Sequence, residues 1–410
     1  MGTDEFDVGA KAGGGSDRGL RLTRRQVIGA GAAGAAALMA GRADPAAAAT
    51  GDESPQLVPT GAPFSVETQR ALTSILVSGM GAANIPGLEV GIWVPGQGSL
   101  VKALGTRDHV NGTPLTTSDH FRIASITKSF VATAALRLVD QRRLGLSDTV
   151  DMFIDHIPNG SEITVAQLLN MTSGIYDYVT DPDLTTEETA NPLLPFGLTD
   201  VIEIINRHDP LFDPGTDVAY DNSNYYLLGV ILEKVTGKPL DVVMDDVVLQ
   251  PLGLGQTTYP TDATIPSPFS RGYFSRANLD LRDVTASNPA FAGGAGAMIS
   301  TLGDLRVWAQ ALATGSLLDP ATQAMRLQTR VLAQTPKVTV AYGMGITDIN
   351  GFLGHDGAIV GYGSLVLYLP SRGATIVLLG NNNDNNAPAP LAIGLAVAAY
   401  LFPQQFPNGL

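Results

Sequence analysis

The sequence predicts an α+β fold: an antiparallel sheet covered by N- and C-terminal helices, with an all-helical insertion in the middle of the chain. Three observations predict it. A helical period is followed at once by a strand–turn–strand pattern. A long central run then carries only helical periods. Strands return near the C-terminus and end in one last apolar helix.

The N-terminus lies outside this scheme. Residues 1–21 are rich in Gly, Asp and Ser, a composition that does not bury a core. Thr23, Arg24 and Arg25 then lead a mild Gly/Ala run to Ala40, and Ala46–Ala49 offers a small-residue cleavage site. This pattern over residues 1–49 resembles a twin-arginine export signal, so the chain is expected to work outside the cytoplasm. The run is too short and too mild for a stable membrane span, and none is expected after signal removal. Residues 50–63 read as a linker. Residues 64–410 read as one catalytic domain with a helical subdomain over about 120–300.

The elements follow in order. Phe64–Met80 has a helical stripe of Val66, Leu72, Ile75 and Leu76. Gly87–Arg107 alternates as two strands around Pro95-Gly96-Gln97-Gly98. Phe121–Asp148 opens on a strand end or loop and becomes an amphipathic helix with Leu136, Leu138 and Val139 on its buried stripe. Ser161–Asn170 is a short helix with Thr164 as its cap. Residues 176–200 are acidic and loop-like. Leu198–His208 is a helix. Pro214–Asn224 is a loop feeding the helix Tyr225–Thr236, which stops at Gly237. Val242–Leu249 and Asp304–Ala313 are further helices. Thr339–Ile346, Gly363–Tyr368 and Ala374–Leu379 are strands, and Ala387–Leu401 is the closing helix.

Composition excludes some functions. The formal net charge is −14, and the chain after residue 49 carries −15. Such a surface repels nucleic acid and anionic membranes. The chain has no cysteine, hence no disulfide and no thiolate metal site. His109, His120, His156 and His208 are scattered without ligand spacing. No G-x-S-x-G, H-E-x-x-H or G-x-x-x-x-G-K stretch is present.

The chemistry points to Ser125 and Lys128. Three residues apart at the start of a helix, they share one face, one turn apart. An amine there can take the proton of a hydroxyl. The spacing alone is weak, since Ser99 and Lys102 repeat it. That pair lies in a predicted strand, where an odd offset sends side chains to opposite faces. Two further stretches add to Ser125. Tyr220-Asp221-Asn222 supplies a phenol for proton relay and an amide for orientation. His355-Asp356-Gly357 lies in the Gly-rich run 354–364, where Gly357 permits close backbone approach.

Ser125-Ile126-Thr127-Lys128, Tyr220-Asp221-Asn222 and His355-Asp356-Gly357, in that order, resemble the three motifs of the penicillin-recognising serine hydrolases. The branch resembled includes class C β-lactamases, D-alanyl-D-alanine carboxypeptidases, D-aminopeptidases and esterases. FRIASITKSF, ITVAQLLNMTSGIYDY, NSNYYLLGVILEKVTGKPL and GAGAMISTLGDL extend the likeness from roughly Phe64 to Phe402. It implies a β-lactamase/transpeptidase-like fold and an acyl-serine mechanism. Ser125 would attack a carbonyl. Lys128 as the neutral amine, or Tyr220 as the phenolate, would accept its proton. The N–H groups of Ser125 and Ala358 would hold the oxyanion, Asn222 would position the scissile amide, and His355 would tune the relay through Tyr220. Phe291 would form an aromatic wall and Thr172–Gly174 a pocket edge. Water would release the acyl group, with no metal or cofactor.

The resemblance has two departures. Carboxypeptidases of this branch place a basic residue just after a Tyr-Gly-x-Gly stretch. Here Tyr342-Gly343-Met344-Gly345-Ile346 is followed by Thr347, with no Arg or Lys before His355. Asp356 and Ala358 stand where that branch has threonines. A substrate carboxylate would lose a strong charge-assisted partner, although Arg330 could stand in. The resemblance still implies first a D-alanyl-D-alanine carboxypeptidase-like D-peptidase acting on a small-molecule or peptide substrate, while Thr347 and Asp356 favour the alternative. An esterase, amidase or D-aminopeptidase is the alternative. Hydrolysis of β-lactams and a non-catalytic binding role stand behind these.

Overall fold

The computed structural model describes residues 61–184, 191–275, 281–383 and 389–410. The signal expected over 1–49 and most of the linker lie outside these residues.

Helix α1 (Val66–Ala82) starts on Ser65, whose hydroxyl accepts the Thr68 N–H at 3.2 Å. Leu72 and Leu76 are buried, whereas Val66, in the first turn, faces solvent contrary to the predicted stripe. The hairpin β1 (Gly87–Val94) and β2 (Gly98–Asp108) forms where expected, and β3 (Thr113–Pro114) extends it. Strand β4 (Phe121–Arg122) leads into α2 (Ile126–Asp140). This helix is buried almost all round, so it is the central helix of the core rather than an amphipathic surface helix.

The middle of the chain is helical. α3 (Val165–Leu169) is shorter than predicted but keeps its Thr164 cap, in a capping box with Gln167. α4 (Leu198–Asn206) precedes α5 (Asn222–Thr236), which begins three residues before the predicted start because Asp221 caps it. It stops at Gly237, whose φ is +70°. α6 (Leu240–Met244) runs on through a π turn to Leu252. The small strands β5 (Tyr273–Ser275) and β6 (Leu281–Asp283) pair together, and β7 (Ile299–Ser300) pairs with β4. α7 (Leu302–Thr314) and α8 (Pro320–Arg326) follow.

Then come β8 (Arg330–Gln334), β9 (Thr339–Tyr342), β10 (Thr347–Ile349), β11 (Phe352–Ile359), β12 (Tyr362–Leu369), β13 (Ala374–Gly380) and α9 (Ala389–Leu401). The predicted strand Thr339–Ile346 is thus broken by a turn at Gly343–Ile346. β8, β10, β11 and α8 were not predicted. The main sheet is antiparallel, in the order β3-β2-β1-β13-β12-β11-β10-β9-β8.

α1 and α9 pack together on one face, over Leu88, Val90, Ile92, Leu365, Leu367, Ile376 and Leu378. α7 covers the other face, with α2 against β11 and β12. Trp308 of α7 stacks on Phe130 of α2 at 3.8 Å, and its indole N–H donates to Ser129 Oγ at 2.9 Å. Each such large buried side chain stabilises the fold by roughly 1.5–3 kcal/mol. This contact also ties the first turns of α2 to α7. Among the described residues, no helix is long and apolar enough to cross a membrane.

Candidate active site

Pairing of β4 with β7 delivers the chain to Ser125. The Ile123 N–H donates to Met298 O at 3.0 Å, and Ser364 Oγ on β12 donates to Ile123 O at 2.7 Å. Ala124 then turns with φ +48°, a left-handed conformation unusual for an L-residue. The turn leaves Ser125 at the N-terminal end of α2, half-buried, with no capping hydrogen bond from its side chain. Its hydroxyl is therefore not consumed by the helix.

Lys128, one turn on, is fully buried. Its Nζ lies 3.0 Å from Ser125 Oγ, 2.7 Å from Asn222 Oδ1 and 2.8 Å from the Ala295 carbonyl. The ring of Tyr220 lies beside it, its centroid 4.9 Å from Nζ. Burial pulls the Lys128 amine down to about 7, although the carboxylates of Asp177, Asp221 and Asp356 pull it back up. Burial also drives the Tyr220 phenol well above its usual value, against a hydrogen bond with Ser125. Near neutrality, then, the amine can be neutral while the phenol keeps its proton.

A neutral amine has two N–H donors and one lone pair. Asn222 Oδ1 and Ala295 O only accept, so they take the two donors. The lone pair is left for the hydroxyl of Ser125. The decoy pair behaves differently: Ser99 Oγ donates to Gly61 O at 3.0 Å, while Lys102 Nζ reaches Thr73 Oγ1 at 3.4 Å.

The third wall is β11. β10 pairs with it only at Phe352, Leu353 and Gly354, so from His355 onward β10 does not cover its edge. Gly357 explains how near it comes. A Cβ there would lie 2.4 Å from Ile123 O and 3.1 Å from the Ala124 methyl. The glycine thus admits the loop that presents Ser125, more directly than it admits a substrate. Ala358 N–H follows on that strand, in register with Gly363.

His355 is buried. Its Nδ1 lies 2.6 Å from the Asp356 carbonyl and its Nε2 3.2 Å from Tyr342 Oη. A carbonyl accepts, so Nδ1 carries the proton and Nε2 accepts from Tyr342. Burial, then Lys128, holds this imidazole at about 3. Its hydrogen bond goes to Tyr342, which lies edge-on to Tyr220 at 5.9 Å; the ring of Tyr220 is 6.2 Å from His355.

Other predicted residues have structural surroundings. Phe291 is buried and packs on Phe196 at 4.9 Å, in a cluster with Tyr178 and Tyr226. Thr172 and Ser173 are buried, and the Thr172 and Gly174 carbonyls accept from Gly215 N and Leu211 N, both at 2.7 Å. They shape the loop that carries Tyr220. Arg330 is exposed and donates to Gly215 O at 3.3 Å. Thr347 Oγ1 donates to Gly354 O at 2.9 Å, within the sheet.

Two site groups escaped the sequence reading. The Ala295 carbonyl has no side-chain signature. Asp177, in the IYDY stretch, is buried and accepts from Asn222 N at 3.1 Å and from Nδ2 at 3.1 and 3.3 Å. Among the described residues, no group of three or more His, Asp or Glu is placed to hold a metal.

Family and fold together support the class: a serine hydrolase of the β-lactamase type. The chain belongs to the Beta-lactamase family, whose profile matches residues 72–401. It is similar to a D-stereospecific amidohydrolase from Streptomyces sp., with 30% identity and a TM-score of 0.71 over 83% of this chain and 99% of that one. It is also similar to a D-amino acid amidase from Ochrobactrum anthropi SV3, with 26% identity and a TM-score of 0.71 over 82% and 99% of the two chains. Among curated proteins, the putative penicillin-binding protein PbpX of Bacillus subtilis (strain 168) is 29% identical over 68% of this chain. Protein flp of Staphylococcus aureus (strain MW2) is 26% identical over 78% of this chain. The matches span 66% and 65% of those two relatives' own lengths.

Proposed function

We propose that the chain is an acyl-serine amidohydrolase that cleaves amides of D-amino acids or short D-peptides, with Ser125 as nucleophile and Lys128 as acylation base. The observation that carries it is the Lys128 amine, 3.0 Å from Ser125 Oγ with its other contacts tied to two acceptors. Ser125 attacks the amide carbon and its proton passes to Nζ. The N–H groups of Ser125 and Ala358 steady the oxyanion. The protonated amine then returns the proton to the leaving nitrogen, through Tyr220, whose phenol stays protonated. Water completes the cycle by hydrolysing the acyl-serine.

The amidase reading is favoured over the carboxypeptidase one on three grounds. Asp356 is half-buried near Lys128 and Tyr220, and burial lifts its carboxyl only to about 6, so at neutral pH it opposes a substrate carboxylate. Thr347 supplies no cation. The D-stereospecific amidohydrolase and the D-amino acid amidase are similar over nearly their whole lengths.

The test is a substrate panel with intact-mass detection of the acyl-enzyme. D-phenylalanine amide is expected to turn over well ahead of its L-enantiomer and of D-alanyl-D-alanine, and Ser125→Ala is expected to abolish turnover. Preferred release of the terminal residue from D-alanyl-D-alanine would restore the carboxypeptidase reading. A protein inert towards amides, esters and penicillin would leave a binding role.

We also propose export, on Thr23-Arg24-Arg25 and the Gly/Ala run after them. Replacing both arginines by lysine is expected to trap the protein in the cytoplasm in a fractionation assay. Unchanged export would sink this reading.

A further inference from the structure

Carboxamide oxygen and nitrogen are nearly isosteric, so packing alone does not decide which end of Asn222 faces Lys128. The end matters. With Oδ1 toward the amine, Lys128 gives it an N–H and keeps its lone pair for Ser125. With the amide turned over, the NH2 group would donate to that lone pair and compete with the hydroxyl. Something must hold the orientation.

Asp177 sits on the far side of Asn222. It is buried, and its oxygens take the Asn222 Nδ2 group at 3.1 and 3.3 Å and the Asn222 backbone N–H at 3.1 Å. Burial lifts its carboxyl to about 6, so above that pH it is ionised, only accepts, and admits only the NH2 end of the amide. The two contacts on one residue fix both the helix start and the side chain.

We propose that Asp177 is the positioning residue of acylation: by accepting from both nitrogens of Asn222, it holds Oδ1 toward Lys128 and so keeps the amine's lone pair directed at Ser125. This rests on the acyl-serine reading above. The chain Asp177–Asn222–Lys128–Ser125 joins the IYDY stretch, the start of α5 and the start of α2.

The groups facing Asp177 are Lys128, Tyr220 and Asp221. Its carboxylate raises the Lys128 amine. Removing that charge therefore lowers the pH at which the base becomes free, while the loss of orientation slows the step. A purely structural role would produce neither a lower acid limb nor a rate loss at constant KM.

The experiment compares Asp177→Asn with the parent, using acylation of Ser125 by p-nitrophenyl butyrate in the stopped flow. An Asn side chain of the same shape can still accept the backbone N–H but can present either end to Asn222. Acylation is expected to fall about 10–100-fold with KM within about threefold, and the acid limb is expected to move to lower pH. In an Asn222→Ala background, the same substitution is expected to cost less than about twofold, because the side chain through which it acts is gone.

Should Asp177→Asn fail to fold, Asp177→Glu and Asp177→Gln decide at equal length, with Glu expected to keep more activity. An active parent with Asp177→Asn unchanged in rate and profile, or with Gln equal to Glu, overturns this proposal alone. A parent that never forms an acyl-Ser125 overturns the underlying reading as well.

Discussion

A lysine that must lose its proton to act needs an environment that resents its charge. Lys128 has one: full burial takes its amine from the free value of about 10.4 to about 7. The sign follows directly. Acylation is expected to rise as pH climbs through about 7, because only the neutral amine accepts the Ser125 proton. His355, held at about 3, stays neutral and contributes no limb in this range. Asp356 raises Lys128, so Asp356→Asn is expected to move the limb to lower pH. A pH profile of acylation with a neutral ester checks both. A limb near 9 or above would transfer the base role to the phenol of Tyr220. At this scale the side chains singled out in the sequence are brought together: Ser125, Tyr220 and Asn222 surround the Lys128 amine. The sequence was silent on the Ala295 carbonyl, because a backbone acceptor carries no residue type. Asp177 went unread because an acid in a loop is ordinarily solvated.

Strand β11 shows why one wall of the site was harder to read. Its sequence, FLGHDGAI, has two glycines and an acid, composition that argues against a strand. The neighbouring β12 and β13 are buried throughout and mostly apolar, and were placed within one residue of their true ends. The glycines in β11 serve close approach rather than flexibility. At Gly357, a Cβ would lie 2.3 Å from Ser364 Oγ and 2.4 Å from Ile123 O, inside any real contact. Gly357→Ala must therefore push β11 away from the loop that presents Ser125. Overpacking of this kind costs about 1–3 kcal/mol. The expected outcome is a lower melting temperature and at least a roughly tenfold slower acylation, since a displaced oxyanion donor alone can cost more than that. Unfolding scans and single-turnover rates measure the two effects separately. Loss of stability without loss of rate would remove the Ala358 N–H from the oxyanion site.

On the scale of the whole molecule, the order of helix, hairpin, helices and strands already implied one antiparallel sheet covered by the terminal helices, with a helical insertion. Which strands adjoin was not legible, since β1 pairs with β13 across nearly the whole chain. That closure buries one charge the local pattern would have left at a surface. On β1, Leu88, Val90 and Ile92 enter the core beneath α1 and α9. By alternation, Glu89 faces the other way with Trp93, into the core that holds α2 and α7. Glu89 is fully buried, and burial, then the Asp119 carboxylate, push its carboxyl well above the ordinary range. Because the folded chain holds this proton more tightly than the unfolded chain, the group's contribution to stability is intact below about pH 4.3. It is lost progressively as pH rises through the folded value. Glu89→Gln keeps the shape and removes the titration. Its advantage over the parent is therefore expected to be small near pH 5 and to reach about 1 kcal/mol or more by pH 8. Urea unfolding at the two pH values reads the difference, and the acyl-enzyme assay is expected to be unchanged because Glu89 lies outside the Ser125 constellation. A variant less stable than the parent at pH 8 would mean that the carboxylate has a charged partner there, and that the sheet is built around that pair.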